Sequence, residues 1–296
     1  MPQHFVAPPQ WEWYIVWYFF LGGLAGGAYL IGTLLRLMGD PRDQAVARLA
    51  FLVAFPAMVI CPLLLTLDLG RPFRFWHMLV DSRSWELNFK YWSPMSVGAW
   101  ALLIFGLFAL LSFVEALVRG GGLHHPLAGR IAGLMGSGFG RVLMVIGALL
   151  GLFVAGYTGV LLSVSNQPIW SDTWTVGGLF LASGLSVAAA TLAILARGRD
   201  DAASTERKLS RADRYFIVLE LLLLVAFFVT LGALSTPLLA PRWLVLWVLV
   251  AAGTLLPLFM HRASAGSAPR SPVLAGFLVL LGGLALRIVV VFGAQM

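Results

Sequence analysis

Charged residues are scarce in this sequence. Asp, Glu, Lys and Arg make up 11% of its 296 residues, whereas 60% of the residues are hydrophobic. Soluble domains usually carry roughly 25% charged residues, so this chain has too few to cover a globule with polar surface. We therefore predict an integral membrane protein.

Cysteine and suitably placed histidine are also lacking. An iron–sulfur cluster needs about four cysteines, and the single one here is Cys61, which we interpret as an apolar filler. A b-type haem needs axial histidines within the spans, but the five histidines fall in loops or at helix ends: His4, His77, His124, His125 and His261. We expect no haem, no iron–sulfur cluster and no other metal site in this chain. Any electrons that it handles would then be exchanged with a partner.

The sequence does contain long apolar runs. Runs of about 20 residues, enough to cross a hydrocarbon layer of roughly 30 Å, recur along its length. A closed β-barrel would show alternating segments of about ten residues instead. The sequence therefore predicts an all-α membrane protein with eight transmembrane helices, at roughly 13–36, 48–68, 93–118, 142–165, 173–196, 214–236, 242–261 and 272–294.

The highly charged stretch 197–214 is expected to be a loop that divides the chain. We predict a first four-helix bundle over residues 1–165, which includes a long outer loop at 69–92, and a second over residues 166–296. Several spans carry small residues at four-residue spacing, as at Gly147, Gly151, Ala155 and Gly159. Such faces predict close helix packing in lipid.

The net charge of +7 could suggest a nucleic-acid partner, but Arg and Lys concentrate in alternate connections: 36–48, 119–141, 197–214 and 262–271. The positive-inside rule places these connections in the cytoplasm and both termini on the outer face. We expect the inner (cytoplasmic) membrane of a prokaryote and no nucleic acid. Because no basic n-region or cleavage site precedes the first span, residues 1–12 are expected to stay in the mature protein.

A charged side chain inside a membrane span is costly in free energy, so each such residue is a candidate for a functional role. Asp68 ends the second span. Glu115 could simply pair with Arg119, one helical turn on. Glu220 in the sixth span and Arg287 in the eighth could form a structural pair or serve as stations in a proton path.

Tyrosines in the outer half form a second group of candidates. Tyr14 and Tyr18 are one turn apart on the first span and should share a face; the interfacial aromatic belt is the alternative explanation for such residues. Tyr157 lies about 12 Å below the outer end of its span, too deep for that belt. It is also about 200° around the helix from Ala155 and Gly159. We expect it to face a second interior surface or cavity.

The outer loop begins with "LDLGRPFRFWHML", residues 67–79. Arg71 and Arg74 lie in a predicted outer loop, where the positive-inside rule leads us to expect few arginines. We therefore expect them, with Trp76, to bind anionic lipid or to dock an outer protein. Asp68 and His77 could accept protons near neutral pH, although a histidine in a loop is often simply solvated.

Taken together, these segments resemble the NrfD/PsrC family of quinone-binding membrane subunits of polysulfide-reductase-like complexes. The resemblance rests on "YFFLGGLAGGAYLIG", "LDLGRPFRFWHML", "YWSPMSVGAW", "YTGVLLSVSNQPIW", "FLASGLSVA" and "GGLALRIVVVFGAQ", in this order along the chain. It implies two four-helix bundles without haem and a quinone site, for menaquinone or ubiquinone, near the outer face. It also implies a four-cluster iron–sulfur subunit docked outside, bound in turn to a molybdopterin or multihaem catalytic subunit.

The resemblance also assigns roles to residues. Tyr157 matches the family's quinone-contacting tyrosine, and Tyr14 and Tyr18 fall where other headgroup contacts lie, although Asn or His is expected there. Asp68 and Arg71 match a motif implicated in proton exchange and subunit docking, and Asp68 is also a candidate contact for the quinone headgroup. Two further hypotheses stay open: proton translocation through Glu115, Glu220 and Arg287, and a transporter that acts without redox partners.

Overall fold

The computed structural model describes residues 10–197, 199, 203–263 and 272–295. Within these ranges the chain forms nine α-helices: α1 Trp13–Met38, α2 Gln44–Asp68, α3 Pro94–Arg119, α4 Pro126–Gly136, α5 Gly138–Ser163, α6 Val176–Ala196, α7 Ala203–Leu231, α8 Leu244–Ala263 and α9 Pro272–Gly293. Short 3-10 helices cover Pro41–Asp43, Pro72–Met78, Gly232–Leu239 and Pro241–Trp243.

Eight of these helices are long and apolar enough to cross a membrane, which confirms the eight predicted spans. The remaining helix, α4, has only 11 residues and lies in the connection 119–141, for which no helix was predicted. The prediction of a loop over 197–214 was wrong, because α7 already begins at Ala203. Its first turns are charged, and hydropathy gives no signal for a charged helix.

The start of α7 is fixed by an ion-pair cluster. Lys208 donates to the carboxylates of Asp40 and Asp43 at 2.6 Å each, and the Thr205 hydroxyl donates to Asp43 at 2.6 Å. Asp43 is completely buried. These bonds join the connection between α1 and α2 to α7 and so extend this helix beyond the apolar region.

The first and last described residues of the chain lie at one face of the molecule, here called the terminal face. The backbone N–H of Trp11 donates to the side chain of Gln295 at 2.7 Å. The Trp11 ring stacks on Trp170 at 4.9 Å, and the indole N–H of Trp170 donates to the carbonyl of Val290 at 2.7 Å. The terminal face also carries residues 69–93, because α2 ends there and α3 begins there. The opposite side, with Asp43 and Lys208, is the far face.

The interior is built around α1 and α6, the most deeply buried spans. α1 contacts α2, α5, α6 and α9. Its Gly26 lies so close to α5 that a Cβ there would overlap the carbonyl of Gly151, and a Cβ on Gly27 would lie 2.8 Å from Ala188. The expected close packing of small residues is confirmed. The division into bundles at residue 165 stays a prediction.

Candidate functional site

Tyr157 is 7% exposed and points from α5 towards the start of α3. Its hydroxyl donates a short hydrogen bond to the main-chain carbonyl of Pro94. The ring lies against the backbone of Gly98, where a Cβ would approach it to 2.6 Å, and it stacks on Phe153 at 5.5 Å. Tyr157 thus faces α3, whereas the small residues of α5 face α1 and α6, as the helical spacing predicted.

Tyr18, on α1, is 1% exposed. Its hydroxyl makes no hydrogen bond to any residue in the described part of the sequence. The phenol lies close enough to Tyr157 and Cys61 to interact with both electrostatically. The thiol of Cys61 points at the carbonyl of Tyr18, 3.9 Å away. Tyr18 therefore carries a hydroxyl that no described residue uses, and it lies beside Tyr157.

The other two predicted headgroup residues lie nearer the surface. Tyr14 is 37% exposed, so it does not share the buried environment of Tyr18 although both are on α1. Asp68, at the end of α2, is half-buried and interacts with Glu12, which precedes α1. The structure therefore brings Tyr18 and Tyr157 together and leaves Tyr14 and an Asp68–Glu12 acidic pair above them at the terminal face.

Residues 69–92 form an ordered cap on the terminal face. Trp76 contacts the ring of His77 at 3.9 Å and stacks on Trp85 at 5.9 Å. The side chain of Asn88 donates to the carbonyl of His77 at 3.1 Å. Many side chains of this cap are nonetheless exposed, including those of both predicted docking arginines; the exposed residues include Arg71, Phe73, Arg74, Trp85, Leu87, Tyr91 and Trp92.

Phe73 illustrates how unusual this surface is, because it is 93% exposed. Soluble or lipid-facing surfaces rarely combine large exposed aromatic residues with arginines unless they bind something. The combination of aromatic and arginine side chains is typical of the energetically important part of protein–protein interfaces.

A second polar group lies between α1, α6, α7 and α9. The guanidinium of Arg287 is completely buried and donates to the Ser183 hydroxyl at 3.2 Å and to the carbonyls of Gly283 and Phe180 at 2.7 and 3.2 Å. The Ser183 hydroxyl also interacts with the buried Glu220 carboxyl. The two charged residues singled out in the sequence are therefore joined through a serine.

The polar group continues along α6 towards the far face. Ser186, one turn from Ser183, donates to Asp213 of α7 at 2.5 Å. Asp213 interacts electrostatically with Glu220, two turns along the same helix. The Nε atom of Arg287 has no hydrogen-bond partner among the described residues.

Glu115 belongs to a separate cluster at the far face. Its side chain is 4% exposed and is paired with both Arg119, as the spacing predicted, and Arg36 of α1 at 2.7 Å. Nearby on α3, Ser112 is hydrogen-bonded to the phenol of Tyr29 at 2.8 Å. With two arginines holding it, Glu115 has a structural explanation.

Sequence reasoning missed several of these residues. Ser183, Ser186 and Ser112 carry no charge and are too small to stand out in an apolar helix, so no sequence signal marked them. Asp43 and Lys208 were counted only as loop charges. Within the described residues, no group of three or more His, Cys, Asp or Glu side chains is placed to hold a metal ion.

Comparison with known proteins gives a consistent result. The family model described as "Polysulphide reductase, NrfD" matches residues 2–296. The C chain of polysulfide reductase from Wolinella succinogenes is 28% identical over 314 residues, which cover 96% of the present sequence and 94% of that protein. Protein NrfD of Escherichia coli is 28% identical over 238 residues, 75% of the present sequence and 71% of that protein.

A shorter match joins the sequence to the C component of selenate reductase from Mesobacillus selenatarsenatis. It is 29% identical over 106 residues, 36% of the present sequence and only 22% of that protein. The family model, in contrast, covers nearly the whole sequence and agrees with eight membrane spans. This protein is therefore a multi-pass membrane protein of the NrfD (polysulphide reductase) family, as the resemblance predicted.

Proposed function

We propose that this protein is the quinone-reactive membrane subunit of a respiratory oxidoreductase complex in the inner membrane of a prokaryote. Quinone or quinol binds in the first half of the sequence, beneath the terminal face, which is the outer face by the positive-inside rule. Two electrons and two protons interconvert quinone and quinol. The electrons pass to or from an iron–sulfur partner subunit, because the sequence has a single cysteine and no suitably placed histidines for a redox centre of its own.

The observation that carries this proposal is the hydroxyl of Tyr18, which makes no hydrogen bond to a described residue. Evolution of a stable core would favour phenylalanine at a position that is 1% exposed and offers the phenol no partner among the described residues. A quinone carbonyl would supply the missing acceptor, and the headgroup would gain a hydrogen bond in a place that excludes water. Tyr18 is therefore the primary headgroup contact.

Tyr157 plays a complementary part in this proposal. Its single proton is donated to the Pro94 carbonyl, so its oxygen lone pairs are what it offers to a ligand. An acceptor suits the hydroxyl of a quinol, whereas the donor Tyr18 suits the carbonyl of a quinone. The two phenols together can bind both oxidation states.

Protons would be exchanged at the terminal face. Asp68 is half-buried at the end of α2 and interacts electrostatically with Glu12, and its carboxyl group is one candidate for this exchange. His77, in the cap above, is the other candidate. Tyr14, exposed one turn above Tyr18, lies between these groups and the buried phenols along α1.

The partner would dock on residues 69–92. Two of the relatives are named as the C components of a polysulfide reductase and a selenate reductase, which supports a catalytic partner for this protein as well. Arg71, Arg74 and Trp76 provide charge and aromatic surface for an acidic iron–sulfur protein. A molybdopterin or multihaem subunit would in turn bind to that protein and act on the final substrate.

The test is the kinetics of the complex purified in mild detergent. Quinol-linked electron transfer should fall by about tenfold or more in Tyr18→Phe, since a lost hydrogen bond of about 1.4 kcal/mol corresponds to tenfold. The iron–sulfur subunit should still co-purify. Unchanged quinol kinetics, or activity of the purified protein as a transporter without any partner, would contradict the proposal.

A second function is favoured by a specific observation. The Arg287–Ser183–Glu220 group and the Ser186–Asp213 bond form an almost continuous polar series through an apolar interior. Charged groups arranged in this way inside a membrane mark proton relays in pumps and transporters. We infer that this series couples quinone chemistry to proton movement from the far face; Glu115, held by two arginines, is the least suited of the three residues first considered.

A further inference from the structure

An apolar groove lies between α2 and α3, on the side of these helices that faces away from α1 and α5. Its volume is about 470 Å³. Met58 and Leu102 form its buried floor, Pro62 and Gly106 form part of its walls, and Phe75 and Met78 of the cap line its end at the terminal face.

The groove is long and free of charge. Its α2 lining extends from Phe55 to Leu69 and its α3 lining from Ala99 to Leu110, which correspond to about 21 and 16 Å along the helix axes. Thr66 is the one lining residue with a polar side chain among those that the structure describes. The groove therefore offers a slot for an extended hydrocarbon chain and no contact for a charged headgroup.

The floor of this groove adjoins the two buried phenols. Met58 is one turn from Cys61, whose thiol points at the backbone of Tyr18. Leu102 is one turn from Gly98, which touches the ring of Tyr157. The floor of the groove is thus one helical turn, along α2 and along α3, from residues that contact Tyr18 and Tyr157.

We propose that this groove binds the polyprenyl tail of the quinone; this inference rests on the proposed function. The cap decides between the two abundant kinds of lipid. A phospholipid needs its charged headgroup in water directly above its chains, but here the apolar side chains of Phe75 and Met78 line the groove at that end. A quinone headgroup is uncharged, so it can turn beneath the cap towards Tyr18 while its tail stays between the helices.

Gly106 provides a clean way to fill the groove. A Cβ at this position would meet nothing within 4 Å, so a large side chain enters open space without displacing the protein. Gly106→Trp is the filling variant. Ile104→Trp is its matched control, because Ile104 is exposed on the same helix but does not line the groove.

The experiment measures equilibrium binding of a long-tailed prenyl quinone and of the same headgroup without the tail, to the full-length protein in nanodiscs. Gly106→Trp should weaken binding of the long-tailed quinone by more than about tenfold, because its apolar contacts are lost, and should leave the tail-less headgroup unaffected. Ile104→Trp should bind both as the unmodified protein does. A photoreactive group on the tail should label residues 55–69 and 99–110.

Other outcomes separate the two proposals. If Gly106→Trp weakens both ligands equally or neither, or if it only displaces a co-purified phospholipid, the groove does not hold the tail. If it weakens the long-tailed quinone alone while Tyr18→Phe binds both ligands normally, the tail groove stands and the headgroup assignment fails. If the unmodified protein binds no quinone, both proposals fail.

Discussion

The phenol of Tyr157 donates its hydrogen bond to the main-chain carbonyl of Pro94, 63 residues earlier in the sequence. This bond joins the terminal end of α5 to the first residue of α3. A tyrosine deep in an apolar helix therefore has a protein partner, and its remaining hydrogen-bonding capacity is that of an acceptor. The neighbouring phenol of Tyr18 has no such partner among the described residues, so the two tyrosines have different chemistry.

Removing the hydroxyl of Tyr157 and removing that of Tyr18 should affect the free energy of unfolding differently. Tyr157→Phe removes a buried hydrogen bond and should lower the free energy of unfolding by about 1 kcal/mol. Tyr18→Phe removes a buried hydroxyl for which the described residues offer no partner, so it should leave the stability of the quinone-free protein unchanged or slightly raised. Thermal unfolding of the purified protein in detergent measures both. Equal losses in the two variants would show that Tyr18 has a partner in the fold.

Tyr157→Phe should also weaken quinol turnover, and a third tyrosine provides the control. Tyr29 is completely buried and hydrogen-bonded to Ser112, but it lies towards the far face. Tyr29→Phe should lose a similar amount of stability while quinol kinetics stay unchanged. Tyr157→Phe should lower kcat/KM for quinol by about tenfold for a lost hydrogen bond of about 1.4 kcal/mol. If both variants slow turnover to the same extent, Tyr157 acts only through stability.

The spans could be predicted from the sequence because each needs about 20 apolar residues in succession, which hydropathy detects without knowledge of the neighbours. The direction of Tyr157 followed from helical spacing, and so did the Glu115–Arg119 pair. The partner of Tyr157 could not be predicted, since it is a backbone atom of another helix and backbone atoms leave no mark in a sequence. A pair of Glu220 and Arg287 could be considered from the sequence, but the part played by Ser183, an uncharged residue in a third helix, could not be predicted.

Ser183→Ala tests whether that link carries protons. The variant keeps both charges but removes the hydroxyl between them, so the protein should assemble normally. Proton uptake from the inside of vesicles, driven by quinone chemistry, should slow. Thr191→Val is the matched control, because Thr191 is on the same helix and its hydroxyl bonds only the carbonyl of Val187 among the described residues. Unchanged uptake in Ser183→Ala would leave Arg287 and Glu220 with a structural role.

Glu220→Gln tests that structural role directly. It removes the negative charge of the Glu220 carboxyl, with which the completely buried guanidinium of Arg287 interacts. Removing one partner of a directly paired buried ion pair costs about 3–5 kcal/mol, so a loss of at most this size is expected. The double variant Glu220→Gln/Arg287→Gln should recover part of this loss, because no unpaired charge remains at this pair. Unfolding of the single and double variants in detergent measures the coupling. If the loss of unfolding free energy in the double variant equals the sum of the losses in the two single variants, the two residues do not interact.

Charge reversal on the cap tests docking of the partner. Arg71→Glu/Arg74→Glu should weaken co-purification of the iron–sulfur subunit about tenfold, from two exposed charge contacts of up to about 1 kcal/mol each. The effect should shrink at high salt, which screens exposed charges. Arg242→Glu is the control, since Arg242 is also exposed at the terminal face but lies outside residues 69–92. If Arg242→Glu weakens co-purification of the iron–sulfur subunit equally, the partner responds to the charge of the whole terminal face and not to residues 69–92.

Gly26→Ala tests the closest helix contact in the interior. A Cβ on Gly26 would overlap the carbonyl oxygen of Gly151, so α1 and α5 would have to move apart, at a cost of about 1–3 kcal/mol for an overpacked core. Gly133→Ala is the control, because a Cβ on this exposed residue of α4 meets nothing within 4 Å. Alanine favours a helix over glycine by about 1 kcal/mol, so this variant should be slightly stabilised. Opposite shifts in the unfolding temperature are therefore expected, and a neutral Gly26→Ala would show that the two helices can separate freely.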